Sequence, residues 1–212
     1  MASGKRKETA LLAARAGRYR EYATPPALRR HFSHLWSHAR HAGPPAMVAI
    51  VPDGYCDLLW IDGRLVVAGP DRTAAFPVIR PGATVIGARF GRLLEGAARH
   101  EEEPAREAAV IFAAADSGRA ASGLLDRLGM SERQLRRRCH HHFGYGAKTL
   151  ERIRRLQRFL DLCRRSETMP LARLALEAGF ADQPHMTREV GELSTLTPAV
   201  ILDQLSLRQR AD

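Results

Sequence analysis

The chain has 212 residues, is 45% hydrophobic and 26% charged, and carries a formal net charge of +10, which is enough material for one large domain or two small ones. It has no run of about 18 apolar residues, which excludes a membrane-spanning helix, and its basic opening has an apolar stretch broken by Arg15 and Arg18, unlike a secretory signal. Its three cysteines, Cys56, Cys139 and Cys163, are scattered and lack a CxxC pair; they fit a reducing compartment, so the expected location is the cytoplasm.

Lys5-Arg6-Lys7 reads as a solvated tail. His31, His34, His38 and His41 would share one face if helical, a spacing that suits a metal. Pro25-Pro26 and Gly43-Pro44-Pro45 flank the segment and argue against that helix, so solvated or packing histidines are the reading and no metal or other cofactor is expected. Short β-type runs follow at Met47–Val51, Asp57–Ile61, Leu65–Val67, Phe76–Ile79 and Thr84–Phe90, separated by turn signals. Asp62-Gly63 is a two-residue hairpin signal. Strands at this spacing suggest a small antiparallel barrel or sandwich. Asp53, Cys56 and Asp57 lie at a turn and strand start; no base for a nucleophilic cysteine is visible, and Cys56 reads as a small buried residue.

From about residue 104 the texture is helical. Pro104 opens a helix that runs through Asp116, and a second covers about 120–127. Ser131 caps a third that ends near His142, before Gly144 and Gly146. A long amphipathic helix spans about Lys148 to Arg164, with Leu150, Ile153, Leu156, Leu160 and Cys163 on one face and Arg152, Arg154, Arg155 and Arg158 on the other. Pro170, Asp182 and Pro198 open three more helices.

The charge is concentrated. Residues 1–118 carry net +4, residues 119–168 net +8 and residues 169–212 net −2. A clustered basic stretch is the footprint expected of phosphate contact. The same half contains a weak repeat: Leu124–Lys148 aligns with Leu174–Ala199, so that Gly129 matches Gly179, Ser131 matches Asp182, Leu135 matches Met186, Arg137 matches Arg188 and Cys139 matches Val190. Each unit has a short helix, a glycine, a turn of three or four residues and a capped second helix, the pattern of a helix-turn-helix. The second helix keeps one apolar face and leaves a polar face free for a major groove. That outer face carries Glu132, Arg133, Arg136 and Arg137 in the first unit, and Gln183, His185, Thr187 and Arg188 in the second. The helix between the units, at about 16 residues or roughly 24 Å, could hold two reading helices about one DNA turn apart, near 34 Å.

These residues resemble the AraC/XylS family of bacterial transcriptional regulators. The second unit carries the resemblance with Ala175, Gly179-Phe180, Asp182, Met186, Arg188 and Thr197-Pro198. The first carries it with Leu128-Gly129-Met130-Ser131, Arg133, Leu135 and Arg137. It covers about residues 119–205. The segments YREYATPPALRRHFSHLW, VPDGYCDLLW and VVAGPD are similar to the β-rich sensor-type domain of one subgroup, with the connector before Pro104 shortened. The sequence departs from the family pattern at Val190, where an aromatic is usual, at Gly191, where a basic or polar residue is usual, and at Thr195, where a glycine is usual.

The expectation is an α+β chain: a small N-terminal antiparallel β barrel or sandwich over 1–103, then an all-α DNA-binding domain over 104–212 with two helix-turn-helix units joined by a long helix. Its function is that of a sequence-specific transcriptional regulator rather than an enzyme. Expected DNA contacts are Ser131, Arg133, Gln134, Arg136, Arg137, Lys148, Arg152, Asp182, Gln183, His185, Thr187 and Arg188. Double-stranded DNA is the main partner; the resemblance adds RNA polymerase, a small-molecule effector and a second copy of the chain. The rival reading is a small-molecule-binding β barrel with a helical assembly domain.

Overall fold

The computed structural model describes residues 10–43, 46–90, 102–116, 125, 128–165 and 169–209. Its first half is a five-stranded antiparallel sheet, ordered β2-β3-β7-β5-β6, made of β2 (Gly17–Ala23), β3 (Phe32–Arg40), β5 (Asp57–Ile61), β6 (Arg64–Ala68) and β7 (Thr84–Phe90). Two short strands, β1 (Leu11–Leu12) and β4 (Val48–Ala49), pair in parallel beside it, and a one-turn helix, α1 (Ala13–Ala16), joins β1 to β2.

Local chemistry explains most of this. Asp62 and Gly63 both have positive φ, 49° and 78°, the geometry of the two-residue turn that matches strand twist. Gly87 of β7 lies under the Trp36 indole of β3, and any side chain there would collide with the ring. Trp60 aligns with Ile86 on one side and Leu65 on the other, and all three are exposed, so one sheet face is apolar and open. The opposite face turns Tyr19, Trp36, Leu59 and Arg89 towards a cavity.

Two expectations change. Phe76–Ile79 is not a strand: Ala75 forms a single bridge to Ile50, Pro77 has no N–H to give a ladder, and Val78 stands 90% exposed. The run Met47–Val51 shrinks to the two residues of β4. His34 and His38 lie on β3, an extended strand, so the four histidines do not share a helical face.

The second half is helical: α2 (Glu102–Asp116), α3 (Glu132–Phe143), α4 (Ala147–Arg165), α5 (Leu171–Ala178), α6 (Gln183–Ser194) and α7 (Pro198–Gln209). The helix expected over 120–127 lies outside the described residues apart from Leu125, which is helical, as is Leu128. α4 is the axis, at 19 residues, or about 28 Å. Its first half packs with α2 and α3 around Leu135, Cys139, Phe143, Leu150 and Ile153. Its second half packs with α5, α6 and α7 around Phe159, Leu160, Met186, Val190 and Ile201. Ala10, Leu12 and Ala49 of the N-terminal segment belong to this second core. Gln204 of α7 fixes them in strand fashion: its Oε1 accepts from the Leu12 N–H at 2.7 Å, and its Nε2 donates to the Ala10 carbonyl at 3.0 Å. The sheet half and the helical half therefore share a core. The three thiols are buried and unpaired; burial pushes Cys56 and Cys139 up to about 11 and Cys163 up to about 12, so they pack as small apolar groups.

Candidate nucleic-acid interface

α3 starts on a capping box. The Ser131 hydroxyl accepts from the Gln134 N–H at 3.3 Å, and Gln134 Oε1 accepts from the Ser131 N–H at 2.8 Å. These reciprocal bonds satisfy donors that the first helical turn leaves open. The helix ends at Gly144, in the left-handed conformation with φ 70°. Leu135, Cys139, His142 and Phe143 face inward, and the opposite face presents Arg133, Arg136 and Arg137, all exposed. Among the described residues these three guanidinium groups make no hydrogen bond or ion pair.

The second unit has the same layout. α5 ends at Gly179 with φ 90°, whose N–H closes back on the Ala175 and Leu176 carbonyls. Phe180 is buried in the turn. Asp182 caps α6 by accepting from the His185 N–H at 2.6 Å. Gln183, Thr187 and Arg188 are exposed. His185 is drawn inward: its Nδ1 accepts from the Ala181 N–H at 3.2 Å, and its ring meets Phe180 edge-on. Thr187 returns its hydroxyl to the Gln183 carbonyl at 2.9 Å, a back-bond common for threonine in helices.

Four arginines of α4, Arg152, Arg154, Arg155 and Arg158, are half-buried and bond within the protein. Arg152 Nε donates to Glu189 Oε2 at 3.1 Å and its Nη2 pairs with Glu192. Arg155 grips Glu189 through two bonds, at 2.8 and 3.1 Å, and lies over the Phe180 ring. Arg158 donates to the Ala178 and Ala115 carbonyls, at the C-terminal ends of α5 and α2, where a cation meets the negative end of the helix dipole. Arg154 donates to the Asp53 carbonyl and lies over Phe112. Of the expected contacts, Ser131, Gln134 and Asp182 are engaged in caps and Arg152 in the Glu189 pair, whereas Arg133, Arg136, Arg137, Lys148, Gln183, Thr187 and Arg188 remain on the surface.

Sequence reasoning missed Glu189, which is 7% exposed. Burial alone would raise its carboxyl; the hydrogen bonds and charges of Arg155 and Arg152 outweigh that and hold it below the ordinary glutamate value. Half of the signal was present: Glu189 sits in the apolar register of Met186, Val190 and Leu193, which marks a buried carboxylate that needs a partner, but the sequence does not say that Arg152 and Arg155 supply it.

Residues 124–204 match the family model of a helix-turn-helix domain. This span agrees with the residues that carry the AraC/XylS resemblance, and this part of the chain is a helix-turn-helix domain. No curated protein matches the chain. Among solved structures it is similar to the apo form of a ToxT variant from Vibrio cholerae, at 10% identity and a TM-score of 0.47, over 81% of this chain and 97% of that one.

Proposed function

We propose that the protein is a sequence-specific transcriptional regulator that holds DNA with two helix-turn-helix units, α3 and α6 each addressing a major groove. One observation carries this reading: Arg133, Arg136 and Arg137 stand exposed and unpaired, among the described residues, on the outer face of a capped helix in the most basic part of the chain. Arginine suits both phosphate oxygens and guanine edges, and glutamine suits adenine. The first unit supplies most of the binding energy through these arginines and Lys148. The second, net acidic, contributes Gln183, Thr187 and Arg188, with His185 nearer its turn. Arg152 acts indirectly by holding α6 through Glu189. Residues 1–103 serve as a sensor-type unit and 104–212 as the DNA-binding unit.

The test is enrichment of fragments from a random and own-promoter DNA pool at about 50 and 200 mM salt. The reading expects defined sites that outcompete bulk DNA, with affinity falling steeply between the two salts, by roughly 10³-fold or more for six or more phosphate contacts. Enrichment of no sequence rejects it.

A further inference from the structure

The inner face of the sheet lines an open cavity of about 210 Å³, which shares Tyr19, Asp53 and Arg89 with a second of about 460 Å³ that extends to Gln157 and Leu205. The part beside the aromatic wall is below the roughly 300–1,000 Å³ of pockets for drug-sized ligands, so a compact, one-ring group fits that part. Tyr19 and Trp36 form an aromatic corner, with ring centroids 5.7 Å apart. Against them stand three carboxylates, Asp53, Asp57 and Asp71, and one guanidinium, Arg89. Arg89 is paired through Nε and Nη2: it holds both Asp57 oxygens at 3.0 Å, reaches Asp53 Oδ2 at 2.7 Å and lies over the Tyr55 ring. Asp71 makes no hydrogen bond or ion pair among the described residues. In a chain of net charge +10, this wall is net acidic by two charges.

Asp71 is half-buried with no counter-charge among the described residues, and Asp53 shares Arg89 with Asp57; partial desolvation of a carboxylate has a cost that a cation offsets. Burial pushes both Asp53 and Asp71 above the ordinary value, with the Asp53 charge adding to the effect on Asp71. A cation relieves that cost, and an electron-rich aromatic corner favours a cation over a neutral or anionic molecule of equal shape.

The same wall is wired to both reading helices. Gly69 and Asp71 line the cavity. One residue on, Arg72 Nη2 donates to the Gly144 carbonyl at the end of α3, at 2.8 Å. Two residues further, the Ala74 N–H donates to the Leu193 carbonyl in the last turn of α6, at 2.7 Å. Ala75 then closes a two-bond bridge to Ile50, another residue of the cavity wall. A short strap, residues 69–75, thus touches the cavity and both helices.

We propose that the cavity binds a small organic cation with an aromatic or aliphatic body, and that the strap at residues 69–75 passes its occupancy to α3 and α6, so that the cation tightens DNA binding. The coupling rests on the DNA-binding function proposed above; the cavity does not. A ligand that draws Asp71 inward fixes the strap, and a fixed strap lowers the ordering cost of setting both helices on DNA.

The test uses the full chain with three probes of one shape: benzylammonium, benzyl alcohol and benzoate. Thermal melting without DNA is read first. Benzylammonium raises the melting temperature with increasing concentration, the other two do not, and Asp71→Asn weakens benzylammonium about tenfold. DNA affinity is read next. Benzylammonium tightens an enriched site several-fold, DNA tightens benzylammonium by the same factor, and Arg72→Ala, which removes the link to α3 and leaves the Ala74 bond to α6, reduces both effects by one common factor while melting still reports binding of the cation. A melting shift equal for all three probes, no shift with benzylammonium, or DNA affinity unchanged at saturation overturns the proposal. If the chain enriches no DNA, the functional reading falls, and a shift specific to benzylammonium still supports the cation site.

Discussion

Glu189→Gln isolates the contact that braces α6 on α4. The Glu189 carboxylate accepts three guanidinium hydrogen bonds, at 3.1 Å from Arg152 and at 2.8 and 3.1 Å from Arg155. Hydrogen bonds to charged groups contribute about 1.5–3 kcal/mol each. With the amide oxygen in the Oε2 position, the bonds from Arg152 Nε and Arg155 Nη2 survive without the carboxylate charge, and the N–H₂ group faces the Arg155 Nε–H, so one of the three bonds disappears and the other two weaken. Side-chain exposures of 27% for Arg152 and 21% for Arg155 let both arginines recover some water, which brings the expected loss to about 2–4 kcal/mol rather than the full penalty of a stranded buried charge. The assay is urea unfolding followed by helical circular dichroism at pH 7, since both tryptophans lie in the sheet and report on the other half. The pH dependence has a definite sign. The folded carboxyl titrates below its ordinary value of about 4.3, so its stabilisation is complete above that pH and is lost as the pH falls through the folded value; the gap between wild type and variant closes in that window. Arg155→Gln in a double-mutant cycle shows a coupling of at least about 1 kcal/mol. A loss below about 0.5 kcal/mol, or additivity with Arg155→Gln, refutes the argument that this cluster braces α6 on α4.

Thr195 ends α6 with φ 61°, a left-handed conformation that a β-branched residue rarely adopts; Thr195→Gly raises the unfolding free energy by about 1 kcal/mol, read by the same urea titration. Gly191 lies inside α6, and the position a methyl group would take there has nothing within 4 Å, so Gly191→Ala adds about 1 kcal/mol by helix propensity; a destabilised variant would show that hidden packing opposes it. Neutralising Arg136 and Arg137 together weakens DNA binding more than Gln183→Ala with Thr187→Ala and flattens the salt dependence by about one unit of slope for each phosphate no longer neutralised; equal losses from the two pairs reject the asymmetry between the units.

What was legible in the sequence was local. Ser131 and Asp182 announce their helices because a short polar side chain before an apolar period satisfies the open first turn, and Gly129 and Gly179 mark left-handed stops, both with positive φ. Asp62-Gly63 marked its hairpin for the same reason. Phe76–Ile79 misled because its composition suits a strand while Pro77 and Pro81 interrupt the donors a strand needs. The strands β2 and β3 were visible only through the family resemblance, since their histidines and arginines blur the alternation of faces. Non-local contacts were not legible. Gln204 meets Leu12 across 192 positions and Arg152 meets Glu189 across 37; nothing in the spacing of the α4 arginines distinguishes a phosphate partner from a carboxylate on a neighbouring helix. The strap is hidden for the same reason, because its bonds are backbone carbonyls at the ends of distant helices.

The most direct test of two-unit reading is to take an enriched site and insert about 5 or about 10 base pairs between its two halves. One rigid helix, 19 residues long, joins the units and cannot stretch by a further DNA turn of about 34 Å. Both insertions are therefore expected to reduce affinity to that of a single half-site, with the half carrying the first unit retaining most of it. Full recovery with the 10-base-pair insertion, or no loss with either, would contradict the account.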